Sequence, residues 1–217
     1  MTANARLPLF PLGTVLFPGM LLPLHVFEER YRQLVRDLLV APHESRVFGV
    51  VAIREGREVG SDGVRALHGV GCVARLRRVE PYDDGRFDVV TSGSQRFRLV
   101  ALDESRPYLR GEVELLGEPD GRRAADLASR VAAAYAVYRK ALGAAEEESA
   151  DDARALSYSV AAGAVLDLTV RQRLLEVPDT ASRLAAELAL LRRETTLLSV
   201  LPSLPAVELT RVPASPN

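Results

Sequence analysis

Cysteine occurs once in this 217-residue chain, at Cys72, and tryptophan is absent. A single thiol excludes an internal disulfide and a cysteine-built zinc site, and it fits a reducing compartment, so the cytoplasm is expected. Cys72 lies in an apolar run with the look of a strand, where a buried, inert thiol is expected. Lysine is equally scarce: Lys140 stands alone and the remaining basic charge is arginine. A phosphate-cradling loop needs a lysine at a helix start behind a glycine-rich turn. Lys140 sits in the middle of a helical pattern, which excludes nucleotide hydrolysis of that type. The three histidines, His25, His43 and His68, are far apart and share no helical spacing, so no metal centre is expected. No serine stands in a Gly-x-Ser-x-Gly elbow. Net charge is −1, so no global field draws the chain to nucleic acid or to an anionic membrane. Long apolar runs are missing too. The N-terminal apolar stretch is broken by Pro8, Pro11 and Pro18, which rejects a signal peptide, and no window reaches the roughly 18–20 apolar residues of a membrane span. No catalytic residue, metal or cofactor is assigned, and the chain is expected not to be an enzyme.

What is present is a globular composition, 47% hydrophobic and 26% charged, arranged in two periods. Up to about residue 117 the pattern is that of strands. Short β-branched and aromatic runs cover 7–12, 20–26, 46–53, 70–79, 86–91, 96–102 and 108–116, the last alternating strictly. Asp84-Gly85 is a tight-turn pair and predicts a hairpin over 70–91. TSGSQRF (91–97) reads as a turn between two strands. One helix interrupts, over 27–40, with Phe27, Tyr31, Leu34, Leu38 and Leu39 on one face and Glu28 and Arg32 as an i,i+4 pair. From 118 to 205 the period is helical. A stripe runs from Leu127 through Val131 and Tyr138 to Leu142, and a second helix is expected over 154–167. Thr169 to Gln172 fits a capping box for a short third helix, and Asp179 or Thr180 caps a last, leucine-rich one. EEESADDA (146–153) reads as a solvated acidic loop, and 206–217 as a frayed tail. The fold class is therefore α+β, with a β-rich unit over 1–117 whose sheet curls or closes into a barrel and a helical bundle over 118–205. Arg75, Arg77, Arg78, Arg96 and Arg98 fall on neighbouring strands and are expected to line a solvated basic face. The sparse aromatics around it disfavour RNA.

LPLFPLGTVLFPGMLLPLHVFEERYRQLV (7–35) resembles the N-terminal, substrate-binding domain of the ATP-dependent Lon proteases. The resemblance continues through VGCVARLRRVEPYDDGRFDVVTSGSQRFRLV (70–100), YLRGEVELL (108–116) and RQRLLEVPDTASRLAAELALLRRE (171–194). It implies a PUA-like β fold with added helices. It also implies a domain without the family's ATPase and peptidase modules, since the chain stops at Asn217 with no positions to receive them. The expected function is non-catalytic recognition of exposed or unfolded protein segments through apolar contacts, extending to an adaptor or modulator of proteolysis. Protein segments, and behind them a protease or chaperone system, are the expected partners; a membrane is not. The prolines and glycines of 7–24 favour strand, loop and strand. The loop brings Val15, Leu16, Phe17 and Met20 near a surface as candidate peptide-binding residues; the competing role for Leu16 and Phe17 is to plug the bottom of the sheet. Two other functions stay open at this point: RNA or nucleotide-base binding on the β unit, and a small-ligand site or enzyme in a cleft between the units.

Overall fold

The computed structural model describes residues 4–56, 64–145 and 152–200. The chain forms two compact units, one made of Met1–Pro119 with Ala161–Pro178 and the other of Asp120–Val160 with Asp179–Asn217.

In the first unit the expected curled sheet closes. Its strands are β1 (Asn4–Leu12), β2 (Leu21–Val26), β3 (Val47–Gly56), β4 (Val64–Leu67), β5 (Val70–Pro81), β6 (Phe87–Asp103) and β7 (Arg110–Leu115). They join in the order β1-β7-β6-β5-β3-β4. β1 shuts the barrel by using two partners in turn. Residues 4–8 run antiparallel to β7, and residues 9–12 run parallel to β3. β2 is hydrogen-bonded only to β6 among the described residues, so it forms an edge, and Pro23, with no N–H to offer, suits that place. Helix α1 (Glu29–Val40) lays Tyr31, Leu34, Val35 and Leu38 into the core, where the Tyr31 ring stacks on Phe10 at 4.0 Å. A second apolar cluster gathers Leu7, Leu9, Val51, Val73 and Val113 around Phe97. Phe97 faces Gly71 across the β5–β6 ladder, and a Cβ on Gly71 would come within 2.5 Å of both the Phe97 ring and the Val50 carbonyl. The ring fits because glycine leaves the room.

Several expectations are corrected here. TSGSQRF is not a turn: β6 runs unbroken for 17 residues, with bulges against its neighbours instead of a reversal. Gly93 keeps the ladder going there, its N–H donating to the Met20 carbonyl while its own carbonyl accepts from Gly19. Phe27 is not in the helix; it precedes it and is exposed. Glu28 pairs with Arg30, and Arg32 pairs with Glu29 and donates to the Gly85 carbonyl at 2.7 Å. That carbonyl belongs to the expected Asp84-Gly85 turn, where Gly85 takes a φ of +83° that a side chain would resist.

The helices after residue 118 divide between the two units. Helix α2 (Ala124–Ala141) packs along α5 (Thr180–Val200) in the second unit, but α3 (Ala153–Gly163) ends at the division and α4 (Leu168–Glu176) belongs with the sheet. The reason is polar as well as apolar. Leu174 and Leu175 are buried, Gln172 donates to the Val70 carbonyl of β5, and Arg96 of β6 holds the end of α4. The cap of α4 is Asp167, accepting from the Val170 N–H at 2.8 Å, rather than Thr169. Asp179 caps α5 through the Ser182 N–H. Inside the second unit, Arg183 lies over the Tyr158 ring at 4.0 Å and donates to the Ser157 hydroxyl. One turn on, the Glu187 carboxyl is buried with no hydrogen-bond partner among the described residues, and burial pushes it well above the usual carboxylate range.

Candidate functional site

The residues named as candidate peptide contacts are mostly interior. Val15 and Leu16 are 1% exposed and Phe17 is 0% exposed, while Met20 is half-buried against the main core. Val15, Leu16 and Phe17 are thus enclosed within the unit, Leu16 in its main apolar core. Phe17 is held from both sides, by the approach of Gly93 to its backbone and by the Arg171 guanidinium 5.6 Å from its ring centroid. These side chains do not form a solvent-facing patch.

The apolar surface lies a few residues further on, along β2. Alternation sends Leu22 and Val26 inward and leaves Leu21, Pro23 and His25 facing out. Leu21 is 62% exposed, Phe27 49% and Tyr82 44%. His25 joins the last two, its ring centroid 6.3 Å from Phe27 and 6.0 Å from Tyr82. Register extends the face across three strands. Leu21 lies opposite Ser92, Pro23 opposite Val90 and His25 opposite Asp88; on the far side of β6, Val90 pairs with Arg78 and Asp88 with Glu80. A depression of about 350 Å³ sits over the middle of this face, between Pro23, His25, Arg78, Glu80, Asp88 and Val90.

Its polar groups satisfy one another. Asp88 takes the Tyr82 hydroxyl at 2.6 Å on one oxygen and lies 2.7 Å from His25 Nδ1 on the other. Those two contacts, Tyr82 first, hold the Asp88 carboxyl below its usual range, and the same hydrogen bond raises the Tyr82 phenol. Arg86 Nη1 lies 3.3 Å from His25 Nε2. A guanidinium only donates, so this geometry suits the tautomer with its proton on Nδ1. The pair has the look of a histidine–aspartate relay, yet the free nitrogen meets an arginine and not a hydroxyl or thiol. His68 lies elsewhere, with Nδ1 3.9 Å from Glu176.

The expected basic face is narrower than the sequence suggested. Arg96 has left it: the side chain is 1% exposed and lies inside the unit. Arg78 pairs with Glu80, and Arg98 with Glu114 at 2.7 Å. Arg75 and Arg77 remain without a carboxylate partner among the described residues; they donate to the Glu44 carbonyl and the Ser92 hydroxyl. Cys72 is buried, and loss of solvent pushes its thiol up to about 12. Among the described residues, no helix is long and apolar enough to cross a membrane.

Comparison with known proteins adds three findings. Residues 6–193 match the family described as the ATP-dependent protease La (LON) substrate-binding domain. Lon protease 2 of Herpetosiphon aurantiacus is 28% identical over 206 residues, covering 90% of this chain and 24% of that protein. The Lon protease of Escherichia coli K12 is 30% identical over 204 residues, covering 90% of this chain and 26% of that protein. The chain thus spans about a quarter of the length of the curated relatives it matches. Among solved structures, a Lon N-terminal domain protein from Xanthomonas campestris superposes with a TM-score of 0.63 at 26% identity, covering 85% of this chain and 98% of that one. The N-terminal domain of a Mycobacterium avium complex Lon protease shares the fold, with a TM-score of 0.62 at 17% identity.

Proposed function

Since this chain belongs to the Lon substrate-binding domain family, we propose that it holds exposed or unfolded segments of other proteins on the outer face of β2 and its neighbours. The observation that carries this reading is the exposure of Leu21 and Phe27 at the two ends of β2 and of Tyr82 against His25, which lines the depression. Large apolar side chains left in water cost free energy that a partner recovers, and a cluster of them marks a contact surface. The surrounding polar groups are already mutually bonded, so covering them leaves few orphans. A patch of this size supports weak binding, because association costs take most of what burial returns. In this role the domain grips a segment and cuts nothing, and its place in proteolysis is to present or withhold what it holds.

The test is association with a permanently unfolded model protein, reduced and alkylated, against the same protein folded. Binding in the micromolar range to the unfolded form alone is expected, and joint replacement of Leu21 and Phe27 by serine weakens it by about tenfold or more. Absence of association at tens of micromolar rejects the reading, as does binding that the double substitution leaves unchanged.

A further inference from the structure

We propose that the segments this face prefers carry a carboxylate close to their apolar anchor, and that Arg77 receives it; this rests on the reading above. The argument is one of charge complementarity along the rows of the sheet. At the Phe27 end, three carboxylates have a cation or proton donor of their own. Asp88 has His25 and Tyr82, Glu80 has Arg78, and Asp84 has Arg86 at 2.7 Å. At the Leu21 end the balance differs. Leu21 lies opposite Ser92, and Arg77 Nε donates to the Ser92 hydroxyl at 2.7 Å. Arg75, in register with Ser92 on its other side, spends one N–H on the Glu44 carbonyl at 3.0 Å. Two guanidiniums therefore stand beside an exposed leucine with only neutral oxygens as acceptors among the described residues.

A guanidinium is a planar fork matched to a carboxylate, and Arg77 has committed Nε alone in the bonds described, which leaves its terminal N–H groups for a partner. The spacing follows from the register. Pro23 and Val90, the apolar lip of the depression, lie one side-chain row from Leu21 and Ser92, which is two residues along a strand or about 6.7 Å. An extended segment that seats an apolar or aromatic side chain over Pro23 and Val90 brings a residue two positions away over Arg77. The favoured ligand is therefore an unfolded segment with Asp or Glu two residues from a large apolar side chain. Like charge at that position is repelled, so the same arginines select against lysine-rich segments.

The experiment measures the affinity of short unstructured peptides that differ at that one position, Glu, Gln or Lys, for the protein and for Arg77→Gln. The Glu peptide is expected to bind about fivefold more tightly than the Gln peptide at low salt, with Lys weakest. The preference disappears in Arg77→Gln, returns in part in Arg77→Lys, and fades as salt rises. Equal affinity for Glu and Gln peptides overturns the proposal, while the broader reading stands because both still bind. A Glu preference that survives Arg77→Gln overturns the assignment to Arg77. If neither peptide binds, the reading of the face itself fails. A single-stranded RNA that displaces the Glu peptide through Arg77 with higher affinity assigns the two arginines to phosphate and refutes the carboxylate.

Discussion

Replacement of Arg96 by methionine removes the centre of the first unit's polar interior. The guanidinium is 1% exposed and gives Nε to Glu118 at 2.7 Å, while Nη1 donates to the carbonyls of Leu175 at 2.7 Å and Val177 at 2.6 Å. Those carbonyls end α4, where no intrahelical donor remains for them. Methionine matches the apolar stem but supplies no donor. Each stranded carbonyl costs about 1–3 kcal/mol if it stays dry, and stripping a buried ion pair of one member costs about 3–5 kcal/mol. Glu118 is itself 16% exposed and recovers some hydration, so the total belongs at about 3–5 kcal/mol and not at the sum. Against a domain stability of about 5–15 kcal/mol that is severe but survivable. Denaturant titration followed by far-UV circular dichroism measures it, and hydrogen exchange over 168–176 reports whether α4 loosens first. Adding Glu118→Gln to Arg96→Met should restore about 1–3 kcal/mol, because the abandoned charge is then gone. A single substitution costing under about 1 kcal/mol, with α4 as protected as before, would refute the account of Arg96 as the tie between α4 and the sheet.

Gly71→Ala drives a methyl into Phe97 and the Val50 carbonyl and is expected to cost about 1–3 kcal/mol by thermal or chemical denaturation; an unchanged midpoint would mean the ring moves freely. Glu187 has a folded-state value raised by burial above its ordinary 4.5, so its contribution is full below that pH and is lost as pH rises through the folded value. Glu187→Gln should therefore gain on the parent protein from pH 5 to pH 9 in denaturant titrations; a difference flat with pH would show that the carboxyl is already hydrated. Cys72 should ignore an aromatic disulfide reagent in the native protein and react fully once unfolded. Prompt stoichiometric labelling would contradict its burial.

The strands, the Asp84-Gly85 hairpin and α1 were legible because each rests on a local pattern: alternation, a turn pair, a three-and-four stripe. The proposed contact face was not, for a reason of the same kind. Val15, Leu16 and Phe17 are as hydrophobic as Leu21 and Phe27, and only the closed barrel decides which set is enclosed. The alternation of 21–26 held the usable signal, since a strand showing Leu, Pro and His on one side has a face that cannot all be core. Arg96 shows the opposite failure. It shares its spacing with solvated arginines, and its burial is set by Glu118 and by two carbonyls some eighty residues away. The return of 161–178 to the sheet depends on those same long-range bonds, which no local change of period announces.

The double allegiance of β1 sets an order of events. Its two halves lie against β7 and β3, elements that lie up to about a hundred residues downstream in the chain. Residues 9–12 of β1 thus wait for β3 and residues 4–8 wait for β7, while α4 arrives later still. Until then an opening segment rich in leucine and phenylalanine stays unshielded, much like the client segments the finished face is proposed to hold.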